Sequence, residues 1–181
     1  MCIKVAPKSR KEIWSYVKNI RMVLGIENKY YFNIVNFIEK ILPCIMPDFV
    51  LEIVPDDELK DKYAETLPLQ FLIRVRESTY NGACNGINRD RFTLAHELGH
   101  LLMHRQDISL AQYCNKNQIA AYEDAEWQAN IFAAEILAPS YLVKDLDEIK
   151  ISELCGISQD CASHQLDNIR KENQKQKIEI N

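Results

Sequence analysis

Apolar positions recur at two periods along this chain, and together they predict most of its elements. Between residues 9 and 24, Ile13, Tyr16, Val17, Ile20 and the pair Val23-Leu24 fall on one stripe of an amphipathic helix. Ser9, with Glu12 three residues on, makes a capping box at its start, and Gly25 ends it. A second helix fits Tyr31 to Leu42, with Ile34, Val35, Ile38, Ile41 and Leu42 inward and a stop before Pro43. Phe49 to Val54 reads as a strand closed by Pro55, and Leu69 to Val75 as another. The acidic run 56–61 between them reads as a solvated loop or short helix. From Glu77 to Asp90, Asn81-Gly82 and Asn85-Gly86 are turn signals, so a hairpin or a loop crossing a cleft is expected there.

The period of 3.6 returns in Arg91 to His104. Leu94, Leu98, Leu101 and Leu102 recur at helical spacing, with Thr93 able to cap the start. Residues 107–118 read as polar connecting chain. Ala121 to Pro139 is strongly helical again, and Glu126, Ala129, Asn130 and Ala133 share one face, its alanines allowing close packing. Residues 151–166 have the helix–Gly–Ile–Ser–helix rhythm of a helix-turn-helix. The last stretch, Lys171 to Asn181, is polar enough to predict a frayed tail.

The chemistry concentrates in His96-Glu97-Leu98-Gly99-His100. Residues four apart on a helix stand one above the other, so His96 and His100 present two imidazoles to one point, as a tetrahedral Zn²⁺ requires. Glu97 is one residue round, near enough to take a proton from a metal-activated water without ligating the ion. Two histidines leave the site short of a third protein ligand. Glu126, on the alanine-lined face of the next helix, is the leading candidate, and Glu123, one turn earlier, is the alternative. Glu135 lies too far round. His104 continues the stripe of His96 and His100, but a further turn carries it about 5–6 Å along the axis, so it is expected beside the site or lining the core. The longer pattern with a third histidine would need one at 106, where this chain has Gln106. His164 defaults to a surface or capping role. An oxyanion donor is expected, and nothing in the sequence selects between Tyr80, Tyr122 or another group.

Composition narrows the class. At 181 residues, with 47% hydrophobic and 27% charged positions, the chain reads as one globular domain. No apolar run is long enough for a transmembrane helix, and the N-terminus is charged where a signal peptide would be apolar, so a cytoplasmic protein is expected. Six cysteines occur without any C-x-x-C, which excludes a ribbon-type zinc site and a thioredoxin-like pair; reduced, mostly buried thiols are expected. A net charge of −4 and a second helix at 159–166 without lysine or arginine argue against direct DNA binding.

The residues Arg91 to His100, followed by Glu126-x-x-Ala129-Asn130-x-Phe132-Ala133-Ala134-x-x-Leu137-x-Pro139, resemble the ImmA/IrrE family of zinc metallopeptidases. The resemblance spans most of residues 9–170 and departs at Ala138, where many members have methionine. It implies His96, His100 and Glu126 as zinc ligands, with Mn²⁺ also compatible with that donor set, and Glu97 as catalytic base. It also implies an endopeptidase whose protein substrate is a helix-turn-helix repressor of the Xre type, cleaved to derepress mobile-element or stress genes. The competing class is a zinc-bearing regulator that sequesters such a repressor without cutting it. The expected fold is α+β, a mostly helical single domain over residues 1–170, with a small sheet beside the His-Glu-x-x-His helix. A helix-turn-helix-like element at 151–170 and a polar tail at 171–181 complete it.

Overall fold

The computed structural model describes residues 2–105, 112–114 and 119–179. The chain opens with a short strand, β1 (Cys2–Lys4), and the capped helix α1 (Arg10–Val23). The capping box is present: Glu12 N–H donates to Ser9 Oγ at 3.3 Å while Ser9 N–H donates to Glu12 Oε2 at 2.7 Å. The next helical stretch overruns its predicted stop. Short α2 (Ile34–Asn36) passes through a π turn, Phe37–Ile41, into α3 (Leu42–Ile45), so that Pro43 lies inside it. The wider π turn, closed by Leu42 N–H donating to the Phe37 carbonyl, relieves the clash a proline ring makes in a regular helix.

A three-stranded sheet follows. Strand β2 (Val50–Val54) pairs in parallel with β4 (Leu72–Arg76), which also pairs antiparallel with β3 (Ala64–Leu67), in the order β2-β4-β3. Strands β2 and β4 were legible from the sequence. Strand β3 was not, because four residues without clean alternation lie inside a polar stretch. It occupies an edge, and its Glu65 shares Arg74 of β4 with Glu52 and Glu58, at 3.0, 2.7 and 2.8 Å. The β4 start expected at Leu69 is instead a 3₁₀ turn, Pro68–Gln70.

The predicted hairpin or cleft-crossing loop at 77–90 is a helix, α4 (Glu77–Cys84), followed by a turn at Gly86. Asn81-Gly82 does not turn the chain because Gly82 is buried against Asp90, whose carboxylate fills the space a side chain would need. Helix α5 (Asn88–Met103) therefore starts earlier than expected. Thr93 is inside it, its hydroxyl bonded to the Arg89 carbonyl at 3.1 Å rather than capping an end. Of the connector expected at 107–118, only strand β5 (Gln112–Cys114) lies within the described residues, antiparallel to β1.

A 3₁₀ turn, Ala121–Glu123, leads into α6 (Ala125–Leu137), capped by Asp124 through Glu126 N–H. Helices α5 and α6 form the centre of the core. Ala129, Phe132 and Ala133 are fully buried, and a methyl group added at Gly99 would lie 3.0 Å from the Phe132 ring. Ile13 and Val17 of α1 cover α6 from the other side. Short α7 (Ser140–Val143) leads to α8 (Glu148–Cys155) and α9 (Gln159–Glu179), joined by the turn Gly156–Ser158. Ile151, Cys155, Ile157, Ala162, Leu166 and Ile169 send the inner faces of these helices into the same core, which makes one α+β domain. Helix α9 runs through the stretch predicted to fray, as far as Glu179.

Two arginines tie the helices together from inside. Arg91, fully buried, donates to the carbonyls of Phe32, Cys155 and Gly156. Arg21 donates to the carbonyls of Ile136, Ile26 and Lys29. Glu135, dismissed as a ligand from the sequence, is buried beside them. It accepts from Ser140 N–H at 3.0 Å, the Ser140 hydroxyl at 2.9 Å and Gln165 Nε2 at 2.8 Å, which fixes α6 to α7 and α9. The expected burial of the cysteines holds for Cys155 but not for Cys44 and Cys84, which are exposed. Burial pushes the Cys155 thiol up to about 11 and that of Cys161 up to about 12.

Candidate metal centre

Helix α5 presents His96 and His100 one turn apart, and α6 crosses beside them with Glu126 in its first turn. The close α5–α6 packing permitted by Gly99, Ala129 and Ala133 brings the three side chains to one point. His96 Nε2 and His100 Nε2 are 3.0 Å apart. Glu126 Oε2 is 3.3 Å from His96 Nε2, and Glu126 Oε1 is 3.4 Å from His100 Nε2. A tetrahedral Zn²⁺ with ligands about 2.0–2.1 Å away needs ligand–ligand edges of about 3.3–3.4 Å. Nitrogen, nitrogen and carboxylate oxygen at these separations fit such an ion, and among the described residues this is the one group of histidine, cysteine and acidic side chains that gathers in this way.

The electrostatics agree with the donor set. Hydrogen bonds from His100 and His96 hold the Glu126 carboxyl far below the ordinary carboxylate range, against the opposing effect of burial. Burial works against a charged His96, but the bond to Glu126, the nearby Glu97 and the bond to Asn130 outweigh it and raise its pKa. Glu123 does not join the group: it pairs with Lys4 at 3.2 Å and accepts from Ala120 N–H at 3.4 Å.

Glu97 is 8% exposed and lines the same cleft, about 310 Å³ in volume, with Ala64, Glu65 and Thr66 of β3 forming the opposite wall. The Thr66 hydroxyl is 2.6 Å from Glu97 Oε2, so the edge strand the sequence hid supplies the partner of the candidate base. Asn130 also lacked a role in the sequence reading. It stands one turn beyond Glu126 on α6, with Oδ1 3.0 Å from His96 Nδ1. Its place on the Glu126–Ala129–Asn130–Ala133 face was the signal available. His104 is fully buried, its Nδ1 3.0 Å from His100 Nδ1, and so lies beside the triad as expected rather than in it. Tyr80 and Tyr122 are absent from the cleft lining; the Tyr80 hydroxyl donates to Glu39 instead. A more voluminous hollow, about 480 Å³, lies between Phe92, Ile131 and Cys161, but it gathers no comparable cluster of donors.

Residues 83–153 match the family model of the IrrE N-terminal-like domain, a peptidase family. The match runs from the end of α4 into α8 and so contains all three converging side chains and Glu97. It is narrower than the resemblance over residues 9–170 but points to the same family. No curated protein matches the chain. The matched family is a peptidase family, and the His96, His100 and Glu126 group is compatible with zinc. Among the described residues, no helix is long and apolar enough to cross a membrane.

Proposed function

We propose that this chain is a metal-dependent endopeptidase that acts in the cytoplasm and cleaves a helix-turn-helix repressor of the Xre type. His96, His100 and Glu126 hold the ion, which is Zn²⁺ or, with the same ligands, Mn²⁺. The observation that carries this reading is the convergence of the three side chains at 3.0–3.4 Å beside a carboxylate that stays out of the cluster. When bound, the ion supplies Lewis acidity, polarising a carbonyl and lowering the pKa of water. Glu97 takes the proton from the attacking water and later delivers it to the leaving amine. Thr66 orients the carboxylate through its hydroxyl. The walls of β3 and α5 line up the substrate backbone in the cleft. In this arrangement the 1–170 region is the peptidase unit, with residues 151–170 serving packing or substrate docking.

The test is to incubate the purified, metal-analysed protein with the helix-turn-helix repressor encoded nearest its gene and to weigh the products intact. Two discrete fragments from the wild type and none from Glu97→Gln, with metal content unchanged, are expected. An uncut repressor that co-elutes with the protein would replace the protease with a sequestering regulator.

A further inference from the structure

Helices α5 and α6 run on past the converging side chains, and one turn further along they border the hollow of about 480 Å³. Phe92, Ile131, Ala134, Ile157 and Cys161 give it an apolar lining drawn from α5, α6, α9 and the turn before α9. Its volume lies within the range of about 300–1,000 Å³ usual for pockets that enclose small organic groups. The walls are held without an occupant. Arg91 ties α5 to the Cys155 and Gly156 carbonyls, and Gln165 Nε2 donates to Glu135 Oε2 at 2.8 Å and to the Ala138 carbonyl at 2.9 Å, which fixes α9 against α6. A carbonyl only accepts, so the bond to Ala138 also fixes which end of the Gln165 amide is the oxygen. That oxygen, Oε1, is buried and has no donor. Among the lining residues it is the one buried side-chain acceptor left unpaired, a standing cost that a donor in the hollow removes.

The place of the hollow relative to the converging side chains points to its occupant. Asn130 lines the hollow and also lies 3.0 Å, through Oδ1, from His96 Nδ1, so one side chain touches both spaces. Phe92 and Thr93 come four and three residues before His96, and Asn130 comes four after Glu126, which puts the near side of the hollow about 4.5–6 Å along the helices from the converging point. Ala134 carries it one turn further. An extended chain advances about 3.3–3.6 Å per residue, so the hollow falls about two or three residues from a bond held at that point. The lining has no carboxylate, and its one lysine or arginine, Arg89, is already paired with Asp90 at 2.9 Å. A charged side chain would find no partner there. We infer that the hollow is a side-chain pocket for an aromatic residue of the substrate, about two or three positions from the scissile bond. Tyrosine and tryptophan fit it best, since each carries a donor on its ring for Gln165 Oε1. The inference rests on the peptidase reading and adds a side-chain preference to it, with α9 as one wall of the substrate site.

Two measurements on the full chain test this. The first is titration of isotope-labelled protein with N-acetyl-tryptophanamide, with N-acetyl-alaninamide as control, read by backbone amide chemical shifts; it needs neither metal nor turnover. The tryptophan compound is expected to shift the amides of Ile131, Ala134, Cys161 and Gln165, and the alanine compound to leave them in place. Ala134→Leu and Cys161→Leu, which narrow the hollow from α6 and from α9, are each expected to weaken this binding about tenfold or more. The second is digestion of a random peptide mixture by the zinc-loaded protein, with the products sequenced. Tyrosine and tryptophan are expected to be enriched two or three positions from the cut, and both variants to lose that enrichment while still cutting. No amide shift at the hollow in the wild type, variants that bind the tryptophan compound as well as wild type, or cuts without aromatic enrichment at those positions would overturn the proposal. A wild type that cuts nothing yet shows the expected shifts would sink the peptidase reading alone and leave the aromatic site standing.

Discussion

Thr66 on an edge strand and Glu97 on the central helix meet at 2.6 Å, hydroxyl to carboxylate, and the same hydroxyl lies 3.0 Å from the Glu97 carbonyl. A hydroxyl has one proton, and the shorter distance to a charged acceptor assigns it to the carboxylate. The strand thus fixes the rotamer of the candidate base. Thr66→Val keeps the shape and loses the donor, and should slow proteolysis by roughly tenfold, the value of one hydrogen bond of about 1.4 kcal/mol. Thr66→Ser should retain most of the rate. Equal rates for wild type and Thr66→Val, measured on the same protein substrate, would remove Thr66 from the machinery.

The proposed third ligand, Glu126, and its neighbour Glu123 can be told apart by substitution. Glu126→Gln should weaken zinc binding by more than the 10–100-fold expected for a partner outside the ligand set. Glu123→Gln should leave it unchanged, since Glu123 is engaged with Lys4 and Ala120. Titration with a competing chelator distinguishes the two.

How far the sequence carried the site follows from what periodicity can encode. His96, Glu97 and His100 lie within one helix turn, so spacing alone located them, and the alanine face made Glu126 the leading partner before any contact was known. The capping box at Ser9 and Glu12 was equally local. Thr66 and Gln128 depend on contacts with residues distant in the chain, β3 against α5 and α6 against the N-terminal segment, and neither carries a pattern of its own. The error at Asn81-Gly82 has the same origin: a turn signal was overridden by packing against Asp90.

Glu135 gives the fold a pH dependence. Burial raises its carboxyl from the ordinary 4.5 to about 7, against the pull of Ser140, Gln165 and Arg21. The folded state then holds this proton more tightly than the unfolded chain. Stability from this group is unaffected below about pH 4.5, falls between 4.5 and 7, and is level above that. The loss amounts to about 3 kcal/mol at most. Thermal melts of the metal-free protein across this window should show Glu135→Gln gaining on wild type as pH rises. A constant difference between the two would discount the effect.

Gly99 sets the distance between the helices that carry the proposed ligands. Gly99→Ala places a methyl group 3.0 Å from the Phe132 ring and should cost about 1–3 kcal/mol through overpacking. Because the strain lies between His96 and His100 on one side and Glu126 on the other, zinc affinity should fall together with the melting temperature. A variant that melts lower but binds zinc as tightly as wild type would show that the helices accommodate the methyl elsewhere.

The N-terminal strand has a consequence for how the molecule is made. Cys2 to Lys4 pair with Cys114 to Gln112, and Ala6 receives Gln128, so residues 2–6 meet partners that lie more than a hundred positions further along the chain. Contacts this distant in sequence close slowly. During synthesis α1 can form on its own capping box, but these pairings wait until residues more than a hundred positions further along have been made.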